Sequence, residues 1–356
     1  MTFSFHFVEE AEYLSSGNHG DSSLSEQELD YLQQNAAICL NANPKNIVYS
    51  KSNIQIPLGK IHYAKGLKKA IMQMPVLDQG GTNTCATFSS TAGIDILAGG
   101  NKDSFDIYSD LCMGDYLSHQ PANSLNSIIQ NEVKLFGWSF PDPWNGTFID
   151  YALAQDLAYG MIQGPTPDGQ DNNFGKNTDN SLELNPADAQ LIHPSFSFTP
   201  LWFQDPTNPK NGFVNSQTLN RGYKTKSDVI IKALKEGKLV VIMLGLDAST
   251  YPNGMLAAIY PDASNPNCYD IGSASSSKAP DAWIYNDKIA QDILNHISGT
   301  DAHAILVTGY IPTSDNGGFF ILRNSWGANG GSNGNIFASY DYVNNLSTEA
   351  AVISAA

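Results

Sequence analysis

Residues 75–90 read Pro-Val-Leu-Asp-Gln-Gly-Gly-Thr-Asn-Thr-Cys-Ala-Thr-Phe-Ser-Ser. The Gly80–Gly81 pair favours a turn, and Thr84 is a residue type that caps helices. Apolar residues then recur at helical spacing, at Ala86, Ile94 and Leu97. The Gly99–Gly100 pair marks the end of the helix. The stretch therefore predicts a turn followed by a helix with Cys85 at its N-terminus.

This position predicts a reactive thiol at Cys85. The positive end of a helix stabilises a thiolate, and the thiolate is the strong nucleophile. Gln79 lies six residues upstream, where its side-chain amide could join the backbone N–H of Cys85 as a donor to an oxyanion. A lone cysteine is more often a buried apolar side chain, so the flanking residues carry this interpretation.

A cysteine nucleophile needs a base within hydrogen-bond reach and a third group that orients the base. His303 opens the apolar run 304–310, and Asn324 follows the apolar run 319–323. The segment Asp-Asn-Gly-Gly at 315–318 is typical of a hairpin turn between two strands. Such a hairpin would bring His303 and Asn324 together and complete a Cys-His-Asn triad.

Three separated strings resemble the papain and cathepsin family of cysteine peptidases, and they occur in the family's order. They are Gln-Gly-x-x-x-x-Cys-Ala-x-Phe-Ser from Gln79, His-Ala-x-x-x-x-Gly-Tyr from His303, and Asn-Ser-Trp-Gly from Asn324. The resemblance covers most of residues 60–345 and suggests a bacterial branch. It implies an α+β fold with a helical left lobe, a right lobe of antiparallel β-sheet, and a cleft between them.

The resemblance also implies a role for each matching residue. Cys85 would be the nucleophile, His303 the general base and acid, and Asn324 the residue that orients the imidazole. Gln79 would donate to the oxyanion, and Trp326 would shield the Asn324–His303 hydrogen bond from water. The implied reaction is hydrolysis of peptide bonds in proteins or peptides through a thioester, with no metal or organic cofactor.

The chain departs from the family's pattern in two places. Residues 82–86 read Thr-Asn-Thr-Cys-Ala where the family usually has Cys-Gly-Ser-Cys-Trp, so the disulfide before the nucleophile and the aromatic after it are missing. His303 follows Cys85 by 218 residues, against about 130–150 in the family. A loop-rich insertion at about 150–222, rich in Asn, Asp, Pro and Gly, is expected to account for the excess.

The first part of the chain predicts a separate unit. Residues 1–55 contain a strand or hairpin pattern, a turn and an amphipathic helix at about 26–40, with seven carboxylates and one lysine in the first 50. We expect them to form a propeptide that inhibits the catalytic domain, residues 56–356, and leaves it at low pH. A constitutive structural extension is the alternative. A linker is expected at 41–65.

The remaining elements complete an α+β interpretation. Residues 124–137 predict a helix, Thr225–Glu236 predict a short helix that ends at Gly237, and Leu239–Leu246 predict a buried strand. Two other functions stay open for such a fold. One is a catalytically silent homologue that binds peptides or a partner, and the other is a transglutaminase-like acyl transferase, which normally pairs its histidine with Asp rather than Asn.

Composition narrows the class of protein. The 356 residues are 42% hydrophobic and 15% charged with a net charge of -16, which excludes collagen-like, coiled-coil and strongly disordered chains. The acidity disfavours nucleic acid as a partner. No apolar run reaches the roughly 18–20 residues of a membrane span. We expect a monomer that is secreted or extracytoplasmic, although no signal peptide is visible.

Overall fold

The computed structural model describes the following residues: 55–77, 79, 85–99, 148–159, 161–162, 191–193, 195–204, 212–214, 225–246, 256–263, 265, 267–273, 280–285, 302–313 and 317–356. The elements predicted before Gln55 and the helix predicted at 124–137 lie outside them. Within these ranges, no helix is long and apolar enough to span a membrane.

The described ranges contain five α-helices, a short 3-10 helix and fourteen strands. The helices are α1 (Lys68–Gln73), α2 (Cys85–Leu97), α3 (Ile149–Tyr159), α4 (Lys226–Lys235) and α5 (Tyr340–Leu346), and the 3-10 helix is Leu58–Lys60. The strands are β1 (Gln55–Pro57), β2 (His62–Tyr63), β3 (Met161–Ile162), β4 (Leu191–Ile192), β5 (Phe196–Gln204), β6 (Gly212–Val214), β7 (Leu239–Gly245), β8 (Leu256–Pro261), β9 (Cys268–Ser273), β10 (Ala282–Trp283), β11 (Ala302–Ile311), β12 (Phe319–Arg323), β13 (Asn335–Ser339) and β14 (Ser347–Ala355).

Twelve of these strands form one sheet in the order β1-β9-β8-β10-β13-β12-β11-β7-β14-β5-β6, with β2 pairing to β11. In the described part of the chain, β10 and β13 are the parallel pair, and the other pairings are antiparallel. Helices α2 and α3 pack on the sheet formed by β11, β7 and β14. The predicted α+β class is therefore confirmed.

The hairpin of β11 and β12 positions the candidate site. The register pairs Leu306 with Arg323 and Ile311 with Phe319, with a bulge between Val307 and Gly309. Asn324 directly follows Arg323, so it lies at the end of the hairpin where β11 begins. The predicted strands are confirmed, whereas the tip of the turn at 314–316 lies outside the described residues.

Helix α2 begins at Cys85, as predicted, and is buried along nearly its whole length. Ser89 Oγ donates a hydrogen bond to the carbonyl oxygen of Ala304, at 2.8 Å. Gly93 allows close packing, because a Cβ at this position would collide with Cδ1 of Ile353 on β14. The helix that starts with Cys85 is therefore fixed to the strands beneath it at two levels.

Helix α4 shows how local sequence sets its own boundaries. Thr225 accepts a hydrogen bond from the backbone N–H of Asp228, and the Asp228 carboxylate accepts one from the backbone N–H of Thr225, which is a capping box. Gly237 ends the helix with φ of +82°, a conformation that favours glycine. The chain then enters β7, which is almost entirely buried. Both predicted elements are confirmed.

The expected loop-rich insertion at about 150–222 is wrong for the parts that are described. Helix α3 lies in this region with Ile149 and Leu153 completely buried, and it packs on α2. Strand β5 also lies there and pairs with β14 from Phe203–Glu349 to Phe196–Ala355. Polar residues between these elements dominate the composition of the region. For that reason the composition did not indicate α3 and β5, two short apolar segments that belong to the core.

The linker expected at 41–65 is also wrong from Gln55 onward. Strand β1 pairs with β9, and β2 pairs with β11. Ile56 is completely buried, and Pro57 lies on an edge strand, where a missing N–H is tolerated. The boundary expected between residues 55 and 56 therefore divides a strand of the sheet.

Candidate active site

Cys85 is half-buried at the first position of α2, next to the start of β11. The backbone N–H of Ala304 donates to Cys85 Sγ at 3.3 Å. Burial raises the pKa of the Cys85 thiol, the N–H groups around it oppose that rise, and the charge of Glu349 adds to it. The stabilisation expected from the helix N-terminus is therefore outweighed by desolvation, and the resting residue is a thiol at neutral pH.

His303 is buried among aromatic rings. Its ring centroid lies 4.5 Å from that of Trp326, with 30° between the planes, and 6.3 Å from that of Trp283 in an edge-on arrangement. Burial lowers the pKa of His303 to about 4, and the hydrogen bond with Asn324 partly opposes that decrease. The imidazole is therefore neutral at neutral pH and can accept a proton.

Asn324 fixes which nitrogen of His303 carries the proton. Its Nδ2 donates to the carbonyl oxygen of Gly330 at 3.1 Å, so Oδ1 is the atom that faces the imidazole. Oδ1 accepts from the backbone N–H of Ser325 at 2.9 Å and lies 2.8 Å from His303 Nε2. Because Oδ1 can only accept, Nε2 is the protonated nitrogen and Nδ1 carries the lone pair.

Cys85 and His303 approach each other through the backbone. Sγ is held by the N–H of Ala304, the residue directly after His303. Within the described residues, no hydrogen bond joins Sγ to the imidazole. Catalytic hydrogen bonds are often long without substrate and tighten only when substrate binds.

Gln79 is buried beside the hairpin end. Its backbone N–H donates to the carbonyl oxygen of Ser325 at 2.8 Å, and the Ser325 hydroxyl donates to Gln79 Oε1 at 2.6 Å. The backbone N–H of Gly327 donates to the carbonyl oxygen of Leu77 at 2.9 Å, which ties the same two segments together. Because Oε1 is occupied by Ser325, the amide nitrogen is the donating end of the Gln79 side chain.

Trp326 lies over the His303–Asn324 pair at the surface. It is 36% exposed, while His303 and Asn324 are 3% and 2% exposed. Together with Trp283 it surrounds the imidazole with apolar surface. This arrangement accounts for the depressed pKa of His303 and keeps water from its hydrogen bond to Asn324.

Sequence reasoning missed a pair of buried carboxyl groups below Cys85. Glu349 pairs with Met243, which in turn pairs with Ala304, so the three side chains share the sheet face that contacts α2. The backbone N–H of Asp150 donates to Glu349 Oε1 at 3.1 Å. Burial raises the pKa of the Asp150 carboxyl to about 8. The two residues are 199 positions apart, and no local pattern links them.

Other reactive groups are few in the described ranges. There, no three His, Cys, Asp or Glu side chains form a group that could hold a metal ion. Cys85 and Cys268 are both free thiols. Cys268 is buried, and Asn265 Nδ2 lies 3.1 Å from its Sγ. Of these two thiols, Cys85 accepts from the backbone N–H of Ala304, the residue after His303.

The C-terminal part of the chain matches a known family. Residues 271–356 match the sequence model of the papain family cysteine protease. The resemblance to the papain family is confirmed over these residues, which make up about a quarter of the chain. The matched segment of this papain-like chain contains His303, Asn324 and Ser325, whereas Gln79 and Cys85 precede it.

Two solved structures are similar to this chain at low sequence identity. One, from work on antibody cross-reactivity between the mite allergens Blo t 1 and Der p 1, is 13% identical, with a TM-score of 0.43 over 99% of this chain and 92% of that chain. The other, digestive procathepsin L 3 of Tenebrio molitor larval midgut, is 14% identical, with a TM-score of 0.40 over 98% and 87%. No curated protein matches this sequence.

Proposed function

We propose that this papain-like chain is a cysteine peptidase that hydrolyses peptide bonds through a thioester on Cys85, with His303 and Asn324 completing the triad. The observation that carries the proposal is the 2.8 Å contact between His303 Nε2 and an Asn324 amide whose orientation is fixed by Gly330. This contact leaves a basic nitrogen, Nδ1, available for a thiol proton.

The first half of the reaction forms the acyl-enzyme. The Cys85 thiol gives its proton to His303 Nδ1, and Sγ attacks the carbonyl carbon of the peptide bond. The oxygen then carries negative charge and accepts from the Gln79 amide and the Cys85 backbone N–H. His303 returns its proton to the leaving nitrogen, the C–N bond breaks, and an amine departs.

The second half restores the enzyme. His303 takes a proton from water, the resulting hydroxide attacks the thioester carbon, and the C–S bond breaks. The products are a carboxylic acid and the Cys85 thiol, which regains the proton from His303. Asn324 holds the ring in place throughout, and Trp326 excludes water from the side of the ring that is not reacting. These steps require no metal or organic cofactor.

The predicted propeptide without Gln55, which belongs to β1, is proposed as an intramolecular inhibitor (residues 1–54) that keeps the enzyme as a zymogen until low pH. Its acidic composition and its position before the catalytic domain support this role. The substrates would be proteins or peptides, the enzyme a monomer, and its location extracytoplasmic. Because Ile56 belongs to the core, processing would have to cut before Gln55 to leave the sheet intact.

A thiol-reactive peptidyl probe tests the nucleophile. We expect the probe to label the wild-type protein after incubation at acidic pH and to fail on the Cys85→Ala variant. The Cys268→Ala variant is a matched control, because it removes the other described free thiol and should label normally. Labelling that persists in Cys85→Ala would refute the assignment.

Turnover separates a peptidase from a silent homologue. A peptidase should cleave a denatured protein substrate after acid treatment, and N-terminal sequencing of its own chain should find a cut before Gln55. A protein that labels at Cys85 yet cleaves no substrate under any of these conditions would be a silent peptide-binding homologue. A transglutaminase-like enzyme would instead transfer the acyl group to an added amine.

A further inference from the structure

The chain takes a long route between β7 and β11. These two strands pair with each other, and Gly245 at the end of β7 is the partner of Ala302 at the start of β11. A hairpin turn of a few residues could join such a pair. Instead the chain forms β8, β9 and β10 on the far side of β13 before it returns. We call residues 246–301 the excursion, and its last described strand, β10, carries Trp283.

Strand β10 gives Trp283 a fixed place in the sheet. Trp283 pairs with Ala338 of β13 in parallel and with Leu256 of β8 in the antiparallel sense. The residue before the strand is anchored as well, because the Asp281 carboxylate accepts from the backbone N–H of Ile259 at 2.6 Å. The Trp283 side chain is completely buried. Its indole therefore has little freedom to move.

The fixed indole of Trp283 lies against the imidazole of His303. Their ring centroids are 6.3 Å apart, with 75° between the planes. Trp326 lies 4.5 Å from His303 and 6.4 Å from Trp283. Because the distance between the two indoles is much shorter than the other two distances together, Trp283 lies to the side of the imidazole and not across from Trp326. The two indoles therefore restrict the imidazole in different directions.

Tyr342 on α5 packs on Trp283 and is itself anchored beside the active site. The ring centroids of Tyr342 and Trp283 are 5.9 Å apart, with 39° between the planes. The Tyr342 hydroxyl donates to the carbonyl oxygen of Gly245 at 2.7 Å. Gly245 pairs with Ala302, the residue directly before His303. Trp283 is thus held by a ring that is tied to the backbone next to the imidazole.

Stability alone does not account for an indole at this position. Within the described residues, the Trp283 Nε1 donor is buried and has no acceptor. A buried donor without a partner is destabilising, whereas an apolar side chain would leave no such group. The large ring and its contact with His303 are what the indole contributes here.

We propose that Trp283 is a positioning residue that holds the His303 imidazole in its reactive orientation. The inference rests on the proposed role of His303 as the base, and it adds the residue that fixes this base. The hydrogen bond with Asn324 fixes one ring atom, Nε2, but not the plane of the ring. Contact with Trp283 fixes the plane, so that Nδ1 stays directed to the thiol proton of Cys85. The excursion thereby supplies a part of the active site.

Trp283→Leu leaves an apolar side chain but opens space beside the imidazole. The ring would tilt, and a misplacement of about 1 Å can cost about 100-fold in rate. We expect kcat to fall at least about tenfold with little change in KM, because Trp283 is buried and does not contact substrate. Water in the new space would also weaken the desolvation of His303. Its pKa should then rise from about 4 toward 6.5, the ordinary value.

The titration of His303 reports the surroundings of its ring. Burial lowers its pKa and the Asn324 hydrogen bond raises it, and within the described residues no charged side chain adds to these two influences. Of the neighbouring elements, α2 carries the Cys85 thiol and α5 carries the Tyr342 hydroxyl. Neither of these groups is charged in acid. A change in the titration therefore measures a change in burial.

Nuclear magnetic resonance of histidine labelled with carbon-13 in the ring tests the proposal. The full chain would carry Cys85→Ala, which prevents self-cleavage, and His303→Gln would identify the His303 signal by its disappearance. In the Cys85→Ala protein the signal should titrate near pH 4. Adding Trp283→Leu should move the midpoint up by more than about one pH unit. Trp283→Phe keeps an aromatic ring and should give a midpoint between the two.

Trp202→Leu is the matched control. Trp202 is another buried tryptophan of the same sheet, and its ring packs under Lys226, with Nζ 5.5 Å from the ring centroid. Its loss should lower the unfolding temperature while leaving the His303 titration where it was. Steady-state kinetics of the chain with Cys85 intact then compares Trp283→Leu with Trp202→Leu, and kcat should fall much further in Trp283→Leu.

Three results would overturn the proposal. The first is a His303 titration that Trp283→Leu leaves unchanged. The second is an equal shift in Trp202→Leu, which would make the effect one of general loosening. The third is a wild-type kcat in Trp283→Leu. If thermal unfolding shows that Trp283→Leu does not fold, an unchanged titration in Trp283→Phe is equally decisive. The titration needs no turnover, so a failure of this inference is distinguishable from a failure of the peptidase proposal.

Discussion

Ser325 Oγ donates a hydrogen bond to Oε1 of Gln79 at 2.6 Å, in a buried contact between residues 246 positions apart. The backbone N–H of the same serine donates to Asn324 Oδ1 at 2.9 Å. Ser325 thus contacts two side-chain amides, that of Gln79 and that of Asn324, whose Oδ1 faces the imidazole of His303. We therefore expect Ser325 to act on the proposed reaction by positioning these two amides.

Replacing Ser325 by Ala should lower kcat with little change in KM. The Gln79 amide, the proposed oxyanion donor, would lose the hydrogen bond that holds its Oε1. Removal of an oxyanion donor typically costs about 100- to 1000-fold in kcat. We expect a loss of about tenfold, because Gln79 itself remains. Steady-state kinetics on a fluorogenic peptide measures both parameters.

The double variant with Gln79→Ala distinguishes positioning from general destabilisation. If Ser325 acts through Gln79, then Ser325→Ala should cost almost nothing further once Gln79 is already Ala. Two losses that multiply independently would contradict this coupling. Thermal unfolding of each variant verifies that the fold is retained.

The pH dependence of Cys85 labelling should report the buried imidazole. Labelling needs His303 as a base, and burial lowers the pKa of that residue to about 4, so the rate should fall only as the pH drops toward about 4. In Asn324→Ala the hydrogen bond that raises this pKa is lost. The acid limb should then move to lower pH while the maximal rate decreases.

Asn345→Ala is the control for this experiment, because Asn345 makes a comparable side-chain contact, to the carbonyl oxygen of Asp341 at 2.7 Å, away from the imidazole. Its labelling profile should match the wild type. An acid limb near 6.5, the ordinary pKa of histidine, would show that His303 is not the buried base described above.

The Asp150 carboxyl should make the folded protein more stable in acid than at alkaline pH. Its pKa is raised to about 8 in the fold, against about 3.9 when unfolded, so the stability it contributes is lost as the pH rises from about 4 through about 8. Glu349 on β14 is its neighbour, and Glu349 Oε1 accepts from the backbone N–H of Asp150. Asp95 and Asp156 are further buried carboxyl groups on α2 and α3.

Asp150→Asn removes this titration while keeping a polar side chain of the same size. Between about pH 5 and 8 the unfolding temperature of the wild type should fall more than that of the variant. Glu236→Gln, a change at an exposed carboxylate, should leave the wild-type slope unchanged. Parallel slopes for the wild type and Asp150→Asn would contradict the prediction.

Gly93→Ala should destabilise the protein by about 1–3 kcal/mol, because the added methyl group collides with Ile353 and overpacks the contact between α2 and the sheet. Urea unfolding measures the loss. Gly59→Ala is the matched control, since nothing lies within 4 Å of a Cβ there. Equal effects from the two substitutions would show that backbone flexibility rather than packing is responsible.

Much of this architecture was predictable because its signals are local. Each signal determines the structure of residues only a few positions away. The signals are the capping residues around Thr225, the glycine at 237 and the apolar runs on either side of residues 315–318. They predicted α4, β7 and the hairpin with the correct type and nearly the correct ends. The position of Cys85 at a helix start follows from the same kind of signal.

The contacts that shape the site join residues far apart in the sequence, and no local sequence pattern predicts them. Glu349 reaches Asp150 only because β14 lies between β7 and β5. Ser325 reaches Gln79 only because the end of the hairpin packs on Leu77 and Gln79. The prediction of a loop-rich insertion also missed β5, because polar residues on either side of this nine-residue strand dominate the composition. The neutral resting state of Cys85 and His303 likewise depends on burial, which no motif encodes.

Strand β14 affects the order in which the protein can fold during synthesis. It hydrogen-bonds on both sides, to β7 and to β5, and its Ile353 packs under the helix that begins with Cys85. A ribosome must therefore finish residue 355 before that helix has its full support. The helix that begins with Cys85 therefore gains its packing on β14 only after that strand has been synthesised.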